Sequence, residues 1–306
     1  MGYSVKFLGD NFLHEEPYST TLQQMGVEIL YGPGYQAGIW DWLTKNKDEI
    51  DFAYLNRPHI AIKYIDFIKK NTNIKVIYYG HDLHFLREYR EYELTGDIQK
   101  KRESDYWKSI EFSLMEKAAV SYYPSYVEEE AIHAIHPEYK IRAITAYVYE
   151  KFLENIDKDF EKREGLLFVG GFAHPPNADA VLWFAKEIFP LIRQKLDVNF
   201  YVVGSKVTDE IKALEQPGSG IIVKGFVTEE ELASLYATSR IVVVPLRYGA
   251  GVKGKVVEAV YNGSAIVTTS IGSEGIPEAE RVMKVADGPE AFADEVVKMY
   301  QDPAEC

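Results

Sequence analysis

The chain has 306 residues and a formal net charge of −13, long enough for two domains of ordinary size and too acidic to suit a nucleic-acid partner. No apolar run approaches the roughly 18 residues of a membrane span, and the N-terminal stretch Gly2-Tyr3-Ser4-Val5-Lys6 lacks the basic and apolar regions of a secretion signal. The one cysteine, Cys306, ends the chain, so an internal disulfide or cysteine-held metal cluster is excluded. A cytoplasmic protein with at most peripheral membrane contact is expected.

Strands are predicted in the first half near Val5–Leu8, Val27–Tyr31, Asp51–Leu55, Lys75–Tyr79, Val120–Tyr123 and Lys140–Thr145, with helices between them. Tyr79-Gly80-His81-Asp82-Leu83-His84-Phe85 ends one of these strands and opens a helix. That puts His81 and Asp82 at the carboxyl edge of the sheet, where open α/β sheets bind ligands. Asp82 also suits the role of helix N-cap. Tyrosines crowd the first half, and amphipathic surface helices account for them without a ligand.

A charged stretch, residues 150–164, is the expected linker between a domain at 1–149 and a domain at 165–306. Within it Asp157-Lys158-Asp159 matches the D-x-D pattern of some metal-binding sites. In so charge-rich a segment the pattern arises readily by chance, and no metal or cofactor is expected.

From Leu166 onward the alternation is cleaner. Short β-rich runs at Leu166–Val169, Phe200–Val203, Ile221–Lys224, Ile241–Val244 and Ala265–Thr268 are separated by helical stretches, the pattern of βαβ units and a parallel sheet. Thr228 before Glu229-Glu230-Glu231 reads as a capped helix start with first-turn acids that suit the dipole.

The segment richest in chemistry is Pro245-Leu246-Arg247-Tyr248-Gly249-Ala250-Gly251-Val252-Lys253-Gly254-Lys255-Val256-Val257-Glu258-Ala259. It follows a strand and opens a helix. With a helix start near Gly251, Val252, Val256, Ala259 and Val260 form an apolar stripe toward the sheet. Gly251, Gly254, Lys255, Glu258 and Asn262 then share the other side. A glycine-opened helix N-terminus offers free N–H groups and positive dipole to an anion. Arg247, Lys253 and Lys255 are placed to surround a pyrophosphate, and Glu258, two turns deeper, suits the paired hydrogen bonds of a ribose diol. A solvated helix face with Lys255 paired to Glu258 is the bland alternative.

This run, with Asn262-Gly263-Ser264-Ala265-Ile266-Val267-Thr268-Thr269 and Gly272-Ser273-Glu274-Gly275, resembles the donor-binding core of the retaining GT-B glycosyltransferases called group 1 or family 4. The likeness covers residues 165–300. It implies a GT-B fold, two Rossmann-like doubly wound α/β domains whose parallel sheets face a cleft, and transfer of a sugar from a nucleoside-diphosphate sugar to a glycan, lipid-linked or protein acceptor with retention. Glu258 matches the second acid of the family's E-x7-E pair, which binds the ribose. The first acid falls on Ala250, a departure at the residue usually placed near the donor sugar.

The resemblance also implies that Gly170 and Gly171, in Val169-Gly170-Gly171-Phe172, form the turn after the donor domain's first strand. Lys224 and Phe226, in Lys224-Gly225-Phe226-Val227, correspond to the loop that meets the base. His81 matches a cleft-facing histidine that contacts the donor sugar, with Asp82 beside it. Lys253 or Lys255 is expected to stabilise the leaving diphosphate without a metal.

Val5–Phe12 looks like the family's second strand rather than its first, so the opening strand and its glycine loop are expected to be missing, and the chain to be a piece of a longer protein. Two other functions keep the same phosphate chemistry: a nucleotide-sugar 2-epimerase-like enzyme of the same fold, and a degenerate, non-catalytic nucleotide-sugar-binding module. A nicotinamide-dependent oxidoreductase fits poorly, since neither half's first strand is followed by G-x-G-x-x-G.

Overall fold

A computed structural model describes residues 2–149, 151, 153 and 160–302. The Asp157-Lys158-Asp159 triplet lies outside them. Twelve strands are described, β1 (Lys6–Phe7), β2 (Glu28–Ile29), β3 (Phe52–Asn56), β4 (Lys75–Tyr79), β5 (Val120–Tyr123), β6 (Ile141–Ala143), β7 (Leu166–Val169), β8 (Phe200–Val203), β9 (Ile221–Gly225), β10 (Ile241–Val244), β11 (Ala265–Thr268) and β12 (Lys284–Val285). Each strand expected from the sequence is present, β12 being the addition.

Contacts divide the chain into two compact units. One holds residues up to Gly80 with Ser109–Tyr122 and His136–Arg142; the other holds His81–Lys108, Tyr123–Ile135 and the chain from Ala143 on. The expected division at 149 and 165 follows chain order. In the structure the helices at His84–Thr95 and Tyr126–His133 belong to the same unit as the second half.

In the first unit the strands do not form one doubly wound sheet. β1 pairs with β2 in parallel, and β3, β4, β5 and β6 run in sequence order in a sheet of their own. The exposed faces Phe52 and Tyr54 of β3 contrast with buried Val76, Tyr78 and Tyr79 of β4, as expected of an edge strand beside an interior one.

The second unit carries a six-stranded sheet in the order β12-β11-β10-β7-β8-β9, with every pairing parallel. All residues of β10 and β11 are buried. Parallel strands covered on both faces read as unbroken apolar runs, which is why Ile241–Val244 and Ala265–Thr268 are legible as strands. The helix Pro289–Gln301 adds Phe292, Ala293, Val296, Val297 and Met299 to this core. Chain order runs one way from β7 through β8 to β9 and the other way from β10 through β11 to β12. The switch therefore falls between β7 and β10, the place where open α/β sheets form a crevice beyond their carboxyl ends.

The Thr228 side chain accepts a hydrogen bond from the Glu231 N–H at 3.2 Å, capping the helix Glu229–Thr238. Among the described residues no helix is long and apolar enough to cross a membrane.

Candidate active site

The two loops that leave the switch point are Gly170–His174 after β7 and Pro245–Lys253 after β10. Gly170 keeps them close. A Cβ on Gly170 would lie 3.0 Å from Lys255 Nζ and 2.9 Å from Asn177 Nδ2. Lys255 Nζ donates to Asn177 Oδ1 and stands 4.8 Å from the centroid of the Phe168 ring. Gly171 accepts from Asn177 Nδ2 at 2.8 Å through its carbonyl.

The helix begins later than its glycines suggest. Lys253 is the N-cap and the helix spans Gly254–Tyr261, because Gly251 sits in a left-handed turn at φ +72 that a helix cannot continue. The inward stripe shrinks accordingly to Val256 and Ala259. Val252 lies in the loop, and Val260 is exposed. Among the described residues no side chain caps this N-terminus, so the N–H groups of Gly254 and Lys255, ahead of the Val256 N–H that donates to the Lys253 carbonyl, keep their capacity for an acceptor. Tyr147 lies over it, its hydroxyl 2.7 Å from where a Cβ of Gly254 would be. Tyr149 stacks on Tyr261 at 3.8 Å.

Two lysines meet at this point. The Lys253 side chain is 9% exposed; its Nζ donates to the Gly251 carbonyl and lies 4.0 Å from Glu274 Oε1. Burial brings its pKa down to about 8, with Arg90 adding to the depression and Glu274 opposing it. Lys255 is only half-buried as a residue, but Asn177, Phe168 and Gly170 enclose its ammonium end. Burial, then Lys253, bring its pKa down to about 7. Two cations with depressed pKa values beside an uncapped helix N-terminus form a site that an anion would stabilise.

Glu258 is half-buried on the same helix. Burial raises its pKa, and the Tyr236 hydroxyl lowers it in part. That hydroxyl is itself buried, with no other hydrogen-bond partner among the described residues.

Arg247 departs from the expected phosphate cluster. Its guanidinium forms a two-point pair with Asp179, with Nε 2.9 Å from Oδ2, and stacks 5.6 Å above the Trp183 ring. The fork that would clasp a phosphate is taken by a carboxylate 68 residues earlier. Lys224 and Phe226 are exposed at the end of β9, Phe226 at 81%. β9 is the third strand from β10, about 14 Å across the sheet.

His81 adopts φ +70, a left-handed conformation that a non-glycine residue takes at a cost. Its carbonyl and the Cβ of Asp82 lie 3.1 and 3.2 Å from where a Cβ of Gly251 would be, a close approach that favours glycine at this position. Leu83, rather than Asp82, is the N-cap of the helix His84–Thr95. Asp82 pairs instead with Arg87 and, at 3.3 Å, with His84.

Several residues of this site went unrecognised in the sequence. Arg90 donates to the Gly249 carbonyl at 2.6 Å and grips both oxygens of Glu274, at 3.1 and 2.7 Å. His174 precedes the helix Pro175–Trp183 as its N-cap. Although its surface is exposed, desolvation of the ring, followed by Arg87 and opposed by Asp82, brings its pKa down to about 4, so it is neutral at pH 7. Glu128 closes a capping box with Ser125, and Ser-x-x-Glu is a signal readable from sequence. Glu274 stands inside the quoted Gly272–Gly275 run. Among the described residues no group of three or more His, Cys, Asp or Glu could hold a metal ion.

Residues 163–302 match the family described as glycosyl transferases group 1. A protein of the cps region of Klebsiella pneumoniae, uncharacterized and of 44.6 kDa, is 32% identical over 116 residues, 36% of this chain and 30% of that protein. The structure of TarM superposes with a TM-score of 0.65 at 14% identity over 87% of this chain and 51% of TarM. HepE of Anabaena, in complex with UDP and glucose, does so with a TM-score of 0.63 at 14% identity over 95% of this chain and 82% of HepE. The chain thus spans less than a third of the Klebsiella protein and about half of TarM. It has the parallel α/β architecture of GT-B glycosyltransferases, and its residues 163–302 are similar to the group 1 glycosyl transferases.

Proposed function

We propose that this protein transfers a sugar from a nucleoside-diphosphate sugar to a glycan, lipid-linked or protein acceptor, with retention at the anomeric carbon. The observation that carries this reading is the meeting of Gly170, Lys253 and Lys255 with the uncapped start of the helix Gly254–Tyr261 at the sheet's switch point. The diphosphate would take the helix N-terminus and the two ammonium groups. As the bond to the sugar breaks, negative charge grows on the departing diphosphate, and donors already in place stabilise that charge without a metal. Glu258 would accept both hydroxyls of the ribose. His81 and Asp82, which pack on Gly251, would face the sugar, and Lys224 and Phe226 the base.

The family match supports glycosyl transfer, and a structural neighbour of this fold binds UDP. Charge at the site favours a dianionic ligand. Arg247 stands outside this reading as a direct ligand, since its pairing with Asp179 suits the role of bracing the loop after β10. Titration calorimetry with UDP, GDP, TDP and CDP, followed by their sugar conjugates, tests the proposal. A nucleoside diphosphate bound with 1:1 stoichiometry and a conjugate hydrolysed or transferred is the expected result. Absence of binding across the panel would overturn it.

A further inference from the structure

The site contains one carboxyl group whose chemistry is unused. Glu128 is 1% exposed. Its Oε2 accepts from the Ser125 N–H at 3.2 Å and from the Ser125 hydroxyl at 3.3 Å, which completes the capping box. Its Oε1 is buried and has no hydrogen-bond partner among the described residues. Such an oxygen carries a desolvation cost that capping alone does not require.

The packing shows what that oxygen faces. A Cβ on Gly251 would lie 3.2 Å from Glu128 Oε1, and a Cβ on Gly275 would lie 2.8 Å from Ser125 Oγ. Two glycines of the segment 245–275 thus press their backbones onto the Ser125–Glu128 box. The neighbouring acids are committed, Asp82 to Arg87 and His84, and Glu274 to Arg90. Ala250, between the hinge glycines at φ +151 and +72, brings no polar atom to the loop. Burial, together with the charge of Asp82, pushes the Glu128 pKa up to about 8, against the pull of Ser125 and Lys253. The group is therefore mostly a neutral acid at pH 7, able to donate and accept through its carboxyl, which is what a sugar hydroxyl requires.

We propose that Glu128 reads the sugar of the bound donor, its free oxygen bonding a sugar hydroxyl when the loop Gly249–Gly251 yields to the ligand. This rests on the donor-site reading above and adds a sugar contact from a residue 123 positions before Gly251. The lysines and Glu258 bind the nucleoside diphosphate, and Glu128 adds the increment that distinguishes a nucleotide sugar from the bare diphosphate.

The test compares affinities within pairs, UDP with UDP-glucose, UDP with UDP-N-acetylglucosamine and GDP with GDP-mannose, for wild type, Glu128→Gln, Glu128→Leu and Ser125→Ala, with thermal melting of each. An amide both donates and accepts, so Glu128→Gln should keep the sugar increment of the preferred pair. Glu128→Leu should lose it by about three- to tenfold, the worth of a hydrogen bond, read as the ratio of conjugate to bare-diphosphate affinity within the same variant. Ser125→Ala, which weakens the cap and keeps the carboxyl, should melt earlier and retain the increment. A sugar increment untouched in Glu128→Leu, or lost equally in Ser125→Ala, would overturn the role of Glu128 and leave the donor site standing. No binding of any nucleoside diphosphate by wild type would overturn both.

Discussion

Lys255 reaches Asn177 only because Gly170 has no side chain: a Cβ there would come within 3.0 Å of the ammonium nitrogen and 2.9 Å of the amide. Both threatened atoms are the ends of flexible side chains, so the fold can absorb a methyl group by moving them. The expected outcome for Gly170→Ala is a small change in melting temperature with a loss of roughly ten- to a hundredfold in nucleoside-diphosphate affinity, the scale of one displaced charged hydrogen bond. Calorimetry and melting on the same sample check it, and an unchanged affinity would remove Lys255 from the phosphate site.

Glu258 lies on the helix Gly254–Tyr261, beyond its first turn. A carboxylate that accepts both hydroxyls of a ribose loses strength as an amide, which has one acceptor oxygen. Glu258→Gln should weaken UDP binding by about tenfold, the difference between charged and neutral hydrogen bonds. It should also shrink the preference for UDP over its 2′-deoxy analogue. Equal discrimination in mutant and wild type would place the ribose elsewhere.

The candidate site's local parts are legible from residue order alone: a buried strand, a glycine turn, lysines at a helix start and an acid further along the helix. What escaped the sequence was long-range. Val252 in register with Val256 invites a helix start at Gly251, whereas the left-handed turn there is dictated by close approach to His81 and Asp82, contacts some 170 residues distant in the chain. Arg247 reads as a phosphate ligand until Asp179 appears beside it. The capping box of Glu128 is a local signal, but its buried free oxygen exists only through packing on Gly251.

Proton uptake should accompany donor binding. The Lys255 pKa is about 7 and that of Lys253 about 8, so near pH 7.5 a fraction of the two ammonium groups is neutral in the free protein. A diphosphate favours the charged forms and raises both values. Binding then takes up a proton, and affinity falls as pH rises through 7 to 9, by at most about tenfold per pH unit for each lysine recruited. Calorimetry in buffers of different ionisation enthalpy measures the uptake directly. Lys255→Met should reduce it, and a binding enthalpy independent of buffer would contradict the lysine assignment.

Arg90 joins the helix His84–Thr95 to the β10 loop through Gly249 and Glu274. Its charge lowers the Lys253 pKa, while Glu274, 12% exposed, raises it. Removal of Arg90 leaves Glu274 buried with Lys253 as its remaining cation, 4.0 Å away. Arg90→Ala should therefore destabilise the protein by about 2 to 4 kcal/mol, as expected when one partner of a buried pair is lost. It should also raise the Lys253 pKa and hold that ammonium against Glu274, weakening diphosphate binding even where the protein is fully folded. In the double variant Arg90→Ala/Glu274→Ala the stranded carboxylate is gone. Stability should recover in part, and the binding pH profile should shift to lower pH than in Arg90→Ala, since Lys253 then lacks Glu274, the neighbour that raises its pKa most. A double variant as unstable as the sum of the single ones would show that the pair is not coupled.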